Sequence, residues 1–144
     1  MKCGLVTSGQ DLELKAAGIR PTRQRAALLG LLRRGGNRHV AAEQLYREAC
    51  QDGLHLSLAT VYNALNLFVH AGIVRRVDVG ERTWFCTNLS NHHHLYDEVA
   101  GELSDLPADA LALTGMPSLP DGAQLVRADI IVRFRRGKTR PDGV

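Results

Sequence analysis

The segment NHHHLYDE, residues 91–98, concentrates the chemistry of this chain: half of its six histidines stand in a row, with Tyr96, Asp97 and Glu98 close behind. Imidazole is a ligand for borderline divalent ions and for haem iron, and carboxylates add harder oxygen donors. On a strand, alternate side chains share a face, so His92, His94 and Tyr96 would point one way and His93 the other. A His-x-His pair is only part of a site. Completing it needs distant residues of the right type, such as His39, Cys86 or Asp105. The plain alternative is a solvated patch that binds nothing.

Composition narrows the setting. The 144 residues, 44% apolar and 23% charged, suit one ordinary globular domain or two small ones. No apolar run approaches the roughly 18 residues of a membrane span, and MKCGLVTSGQDLELK shows no secretory signal. Cys3, Cys50 and Cys86 contain no Cys-x-x-Cys pair, which excludes a tetrathiolate zinc site and suggests free thiols in a cytoplasmic protein. The net charge of +3 conceals an asymmetry: residues 1–88 carry 12 Lys/Arg against 7 Asp/Glu, whereas residues 89–126 carry six acids and no Lys or Arg. A basic front half suits a polyanion and an acidic, histidine-bearing segment suits cations.

These side chains need elements to hold them. Ser8 and Asp11 resemble a capping box for a short helix closed by Gly18, and Thr22 is a good N-cap for TRQRAALLGLLRR, which stops at Gly35-Gly36. AAEQLYREACQDG reads as a third helix. In SLATVYNALNLFVHAG, residues 57–72, Ser57 caps a fourth helix that buries Leu58, Val61, Leu65 and Phe68 and leaves a small, polar face. IVRRVDV and RTWFCTN then read as a hairpin with its arginines on one face.

Three short helices, a fourth with an open polar face and a basic hairpin describe a winged helix-turn-helix, whose fourth helix enters the major groove while the hairpin touches backbone. On that reading Ala59, Thr60, Asn63 and Asn66 lie on the open face, with Tyr62 at its border, and Ser57, Ala59, Thr60, Tyr62 and Asn63 are candidate DNA contacts; Asn63 can bond an adenine edge twice, and Ala59 and the Thr60 methyl suit a thymine methyl. Arg23, Arg25, Arg75, Arg76 and Arg82 suit phosphate. Beyond residue 89 the rhythm is α/β. HHHLYDEVA and GELSDL can be strands around Gly101, PADALALTG fits a helix starting at Pro107, and AQLVRADIIVRFRR fits a long strand. A sheet this small cannot cover both of its faces, so a homodimer is expected.

RPTRQR, HVAAEQLY, SLATVYNAL, HAGIVRRV, the histidine run and VRADIIVRFRR, in this order, resemble the ferric uptake regulator superfamily over about residues 12–136. SLATVYNALN, TNLSNHHH and MPSLPDGAQLVRADIIVRFRR look most like its iron response regulators, which control haem synthesis and iron economy. The resemblance implies a dimeric winged-helix regulator with a C-terminal α/β dimerisation domain. It also implies a regulatory metal site at the positions of His39, Cys86, His94, Tyr96 and Asp105, with His92 nearby. Cys86 stands where an acid is usual and Tyr96 where many members have histidine. His39, His94 and Asp105 are thus the firmest ligands; Cys86 is either a thiolate favouring zinc or haem iron, or a buried small residue. The paired Cys-x-x-Cys motifs of many members' structural zinc are missing. Leu95 stands in place of an acid of the second family site, leaving His93 unpaired or free for haem. Some iron response regulators bind haem through a Cys-Pro motif and the histidine run; here Gly4 follows Cys3, and His92, His93 and His94 remain as haem ligands.

The expectation is an α+β chain, with a winged-helix DNA-binding domain over residues 1–88 and a dimerisation and sensing domain over 89–144. Its expected function is cytoplasmic transcription regulation on a double-stranded operator, governed by iron, manganese or zinc, or by haem. A manganese- or ferrous-iron-corepressed repressor is the nearest alternative. A metal-dependent enzyme is the alternative of another class, opposed by the lack of a general base beside an open coordination position.

Overall fold

The computed structural model describes residues 9–137, which divide into two compact units, one running up to Leu89 and the other starting at Ser90. Ser8 and Cys3 lie outside the described residues, and so does the cap expected at Ser8.

The first unit holds helices α1 (Gly9–Ala16), α2 (Arg23–Arg33), α3 (Ala42–Gln51) and α4 (Leu58–His70) and a three-stranded antiparallel sheet. Thr22 caps α2 by accepting from the Arg25 N–H, and Ser57 caps α4 by accepting from Thr60. Each side chain satisfies one of the donors that a helix start leaves unpaired. Gly72, at φ +79°, turns the chain out of α4 in a conformation that favours glycine. Four leucines of α2 (Leu28, Leu29, Leu31, Leu32) pack with Leu45 of α3 and with Val61, Leu65 and Phe68 of α4. Leu58 is only half-buried at the start of α4, and Ala64 is buried in the stripe. Arg38 ties the connection after α2 to α3 through two hydrogen bonds to Glu48, and it also donates to the Leu31 carbonyl. Its guanidinium holds the Glu48 carboxyl below the usual range.

The wing is the hairpin of β2 (Arg75–Val79) and β3 (Arg82–Cys86), and the sheet is completed by β1 (His39–Val40) on the other edge of β3. Its arginines do not share a face. Arg75 and Arg76 are consecutive and so point oppositely, while Arg82 pairs with Val79 and falls on the Arg75 side.

The second unit contains β4 (His92–Asp97) at the centre of a sheet, with β5 (Glu102–Pro107) antiparallel on one side and β6 (Ile131–Phe134) parallel on the other. The two strands around Gly101 form as expected, but two other expectations fail. The helix expected over PADALALTG is a single 3-10 turn at Ala108–Ala110. Pro107 provides no side-chain cap, Leu111 is extended, Gly115 takes φ +72°, and Leu113 is half-exposed. So short a helix is marginal without tertiary support. The long strand over AQLVRADIIVRFRR shrinks to its last third, because β6 meets β4 only from the His94–Ile131 pair onward. The Ile130 carbonyl still accepts from the His94 N–H, but among the described residues no ladder pair precedes Ile131, and Val126 is 93% exposed.

Among the described residues no helix is long and apolar enough to cross a membrane. Phe68, fully buried where α4 meets the core, sets the first expected outcome. Phe68→Ala should cost about 3–5 kcal/mol in urea unfolding, and Asn66→Ala, on the exposed face, should stay within about 0.5 kcal/mol.

Candidate metal centre and nucleic-acid interface

In the second unit, the register of β4 and β5 sets His94 directly opposite Asp105. His92 lies two residues earlier on the same face. The His92 and His94 Nε2 atoms stand 3.1 Å apart, and the Asp105 Oδ1 is 3.2 Å from the first and 3.7 Å from the second. Both imidazoles are buried, their rings meeting edge-on with centroids 4.6 Å apart. The His92 Nδ1 is 2.6 Å from the Ser90 carbonyl oxygen. A carbonyl can only accept, so Nδ1 carries the proton and, in neutral His92, the Nε2 lone pair is left towards the cluster. Such a bond to the far nitrogen orients histidines at metal sites. Two imidazole nitrogens and a carboxylate oxygen thus lie within 4.8 Å of one another, a donor set suited to a borderline divalent ion.

In the first unit, the pairing of β1 with β3 sets His39 opposite Cys86. Their ligand atoms also lie within 4.8 Å of each other. Cys86 is fully buried, its Sγ 3.7 Å from the Asn88 carbonyl oxygen. This pairing is fixed by the two-residue strand β1 and extended by Arg38 N–H to the Thr87 hydroxyl and Thr87 N–H to the Arg38 carbonyl.

His93 and Tyr96 fare differently. His93 points to the opposite face and is partnered: its Nδ1 accepts from the Ile130 N–H at 3.2 Å. That corrects the expectation of an unpaired imidazole, whose partner lies 37 residues away and left no local signal. Tyr96 is paired with Leu103 rather than with the acid.

The polar face of α4 carries the side chains expected to read bases. Ala59, Tyr62 and Asn63 are exposed and Thr60 half-buried. Ser57 is committed to its cap, with its Oγ also 3.0 Å from the Thr60 hydroxyl. Thr60, Asn63 and Leu67 line a cleft of about 250 Å³ with Thr22, Gln24 and Arg25 of the segment starting α2. Arg23 is exposed there, but one Arg25 nitrogen is bound to the Arg20 carbonyl. On the wing, Arg75 donates to the Leu89 carbonyl, Arg76 pairs with Asp78, and Arg82 lies over the Trp84 ring. The expected phosphate ligands are therefore not equivalent, Arg23 being exposed and Arg75 already engaged. The sequence reading missed Glu43, which accepts the Tyr62 hydroxyl at 2.6 Å. That bond, foremost, and then its own backbone N–H, Arg82 and Arg47 hold the Glu43 carboxyl low, while the same bond raises the Tyr62 phenol.

The model of the ferric uptake regulator family matches residues 16–121. The ferric uptake regulation protein of Shigella flexneri is 37% identical over 100 residues, covering 68% of each chain. The chain belongs to the ferric uptake regulator family. The peroxide-responsive repressor PerR of Staphylococcus aureus is also 37% identical, over 93 residues, covering 64% of this chain and 62% of its own length. Among solved structures, the Pseudomonas aeruginosa ferric uptake regulator with manganese superposes with a TM-score of 0.68 at 26% identity, covering 91% of this chain and all of that one. The Vibrio cholerae regulator gives 0.68 and 26%, covering 88% and 98%. The fold is therefore α+β, a winged-helix unit followed by a small C-terminal one. Members of the family are metal-responsive, DNA-binding and dimeric transcription regulators. They are not enzymes, which disposes of the catalytic alternative.

The cluster on β4 and β5 generates an expected outcome. Asp105→Asn, which keeps the shape and removes the charge, should weaken zinc binding by more than about tenfold in calorimetric titration. Far-UV circular dichroism should not change. An unaltered affinity would remove this acid from the set.

Proposed function

We propose that this family member is a cytoplasmic, homodimeric repressor of the iron response type, which binds a two-fold operator and is governed by iron status through a divalent metal. The observation that carries the reading is the convergence of His92 Nε2, His94 Nε2 and Asp105 Oδ1, with the His92 tautomer set by the Ser90 carbonyl. The family-level match supplies the DNA-regulatory context.

His39 and Cys86 are a second pair of candidate donors in this proposal, juxtaposed at one sheet edge of the first unit. Thiolate from Cys86 would favour zinc or iron over manganese. In this proposal metal binding shifts operator affinity, and a bias of a few kcal/mol suffices to alter occupancy.

Haem fits these residues less well. An axial ligand needs a free nitrogen beside an open slot. Instead, His92 and His94 are buried with their Nε2 atoms facing each other, and His93 Nδ1 is bonded to Ile130. The iron response reading rests on SLATVYNALN and TNLSNHHH, and in this chain it is assigned to direct metal sensing.

Dimerisation is assigned to the second unit. Leu103 is the one buried apolar side chain among its described residues, whereas Val99, Leu113, Met116, Leu119, Leu125, Val126 and Phe134 are exposed. A second copy would remove that surface from water.

The deciding experiment measures operator affinity in chelator, in ferrous or manganous ion and in haem, at one salt concentration. Tight binding that requires divalent metal supports the proposal. Tight metal-free binding that haem releases would replace it with a haem-responsive mechanism. Asn63→Ala should weaken specific binding by about 1–3 kcal/mol and relax base preference; an unchanged preference counts against α4 as the reader. Cobalt(II) bound to the protein should show a thiolate charge-transfer band that Cys86→Ser abolishes. A band that survives excludes Cys86 from the sphere.

A further inference from the structure

We propose that Glu43 is a positioning residue that sets base preference, by fixing Tyr62 on α4 and engaging the only proton of its phenol. The inference rests on the reading of α4 as the element that enters the major groove. Tyr62 is 36% exposed on that helix, yet its hydroxyl is tied to Glu43 Oε2 at 2.6 Å, 19 residues earlier. Glu43 is itself anchored. It sits in the first turn of α3, where Ala41 at the N-cap offers no side-chain oxygen, and its carboxylate favours the positive end of the helix. Ala41, Glu43, Gln44, Arg47 and Arg82 line a groove of about 400 Å³. The carboxylate therefore stands near opposite charges, those of Arg82 and Arg47.

Chemistry fixes the direction of the bond. An ionised carboxylate only accepts, so the phenol donates, and a phenol has one proton. What Tyr62 can then offer a base edge is the rim of its ring and the remaining oxygen lone pair. The rim suits a thymine methyl, and the lone pair accepts from adenine N6 or cytosine N4. Donation to guanine O6 or N7, or to thymine O4, is withdrawn. A tyrosine without this partner could both donate and accept, and would discriminate less. Arg82 and Arg47 offset the repulsion that a bare carboxylate would exert on nearby phosphate.

The test is binding of the full chain, in its DNA-competent metal state, to an operator library with every position varied, at one salt concentration. Glu43→Ala should relax preference at one position of each half-site by roughly tenfold, the worth of one hydrogen bond, with guanine gaining most. Glu43→Gln, whose amide oxygen still accepts, should retain most of the preference. In a Tyr62→Phe background Glu43→Ala should change nothing further at that position. Thermal melts of each variant check the fold. A uniform change across all sequences, or the same effect of Glu43→Ala in the Tyr62→Phe background, overturns the proposal. If Asn63→Ala relaxes its own position while Glu43→Ala relaxes none, the proposal alone fails. If neither variant alters preference, the placement of α4 fails and the proposal with it.

Discussion

The register between β4 and β5 is the constraint on which the histidine cluster depends. Because side chains alternate, a slip of one residue would carry Asp105 to the opposite face from His92 and His94. The observed pairing of His94 with Asp105 instead brings a carboxylate oxygen to both imidazoles. The same alternation sends His93 to the other face, where it accepts from the Ile130 N–H just before β6 begins. One strand thus carries two kinds of histidine, a pair drawn together with Asp105 and a single residue bonded to the neighbouring segment.

The first unit shows the complementary arrangement, in which a well-packed core presents a surface. Val61, Leu65 and Phe68 bury one side of α4 so firmly that its opposite side can afford to be polar and open. The surface is more prepared than a list of exposed residues suggests. Ser57 is committed to capping, Arg25 and Arg75 each bond a backbone carbonyl, and Tyr62 is held from α3. Such ties reduce the side-chain freedom that binding would otherwise remove.

The second unit is sparse by contrast. Its buried side chains are mostly polar, His92, His93, His94 and Asp97, with Leu103 the apolar exception among the described residues. Asp97 shows how such a unit holds together: its carboxylate accepts from the Val99 and Ala100 N–H groups and from Arg136. The first two of these bonds close the turn between β4 and β5, and Arg136 follows β6. Polar bonds of this kind fix geometry, while apolar side chains among residues 113–134 stay exposed.

The sequence by itself determined the four helices, their caps at Thr22 and Ser57, the wing and the two strands around Gly101. Each is written in local periodicity, in capping chemistry or in a glycine turn. It also named His39, Cys86, His94 and Asp105 by residue type and by resemblance. What it did not contain was the outcome of competition between distant segments. The helix over PADALALTG had adequate local propensity, but Leu113 stays half-exposed among the described residues, and the segment forms one 3-10 turn. The strand over AQLVRADIIVRFRR had the right alternation, but β4 supplies a ladder for only its last third. Strand β1, the His39–Cys86 and His94–Asp105 pairings, the partner of His93 and the hold of Glu43 on Tyr62 were likewise decided only by tertiary structure. Local signals are set by neighbours in the chain, whereas register and long-range hydrogen bonds depend on which segments fold against each other.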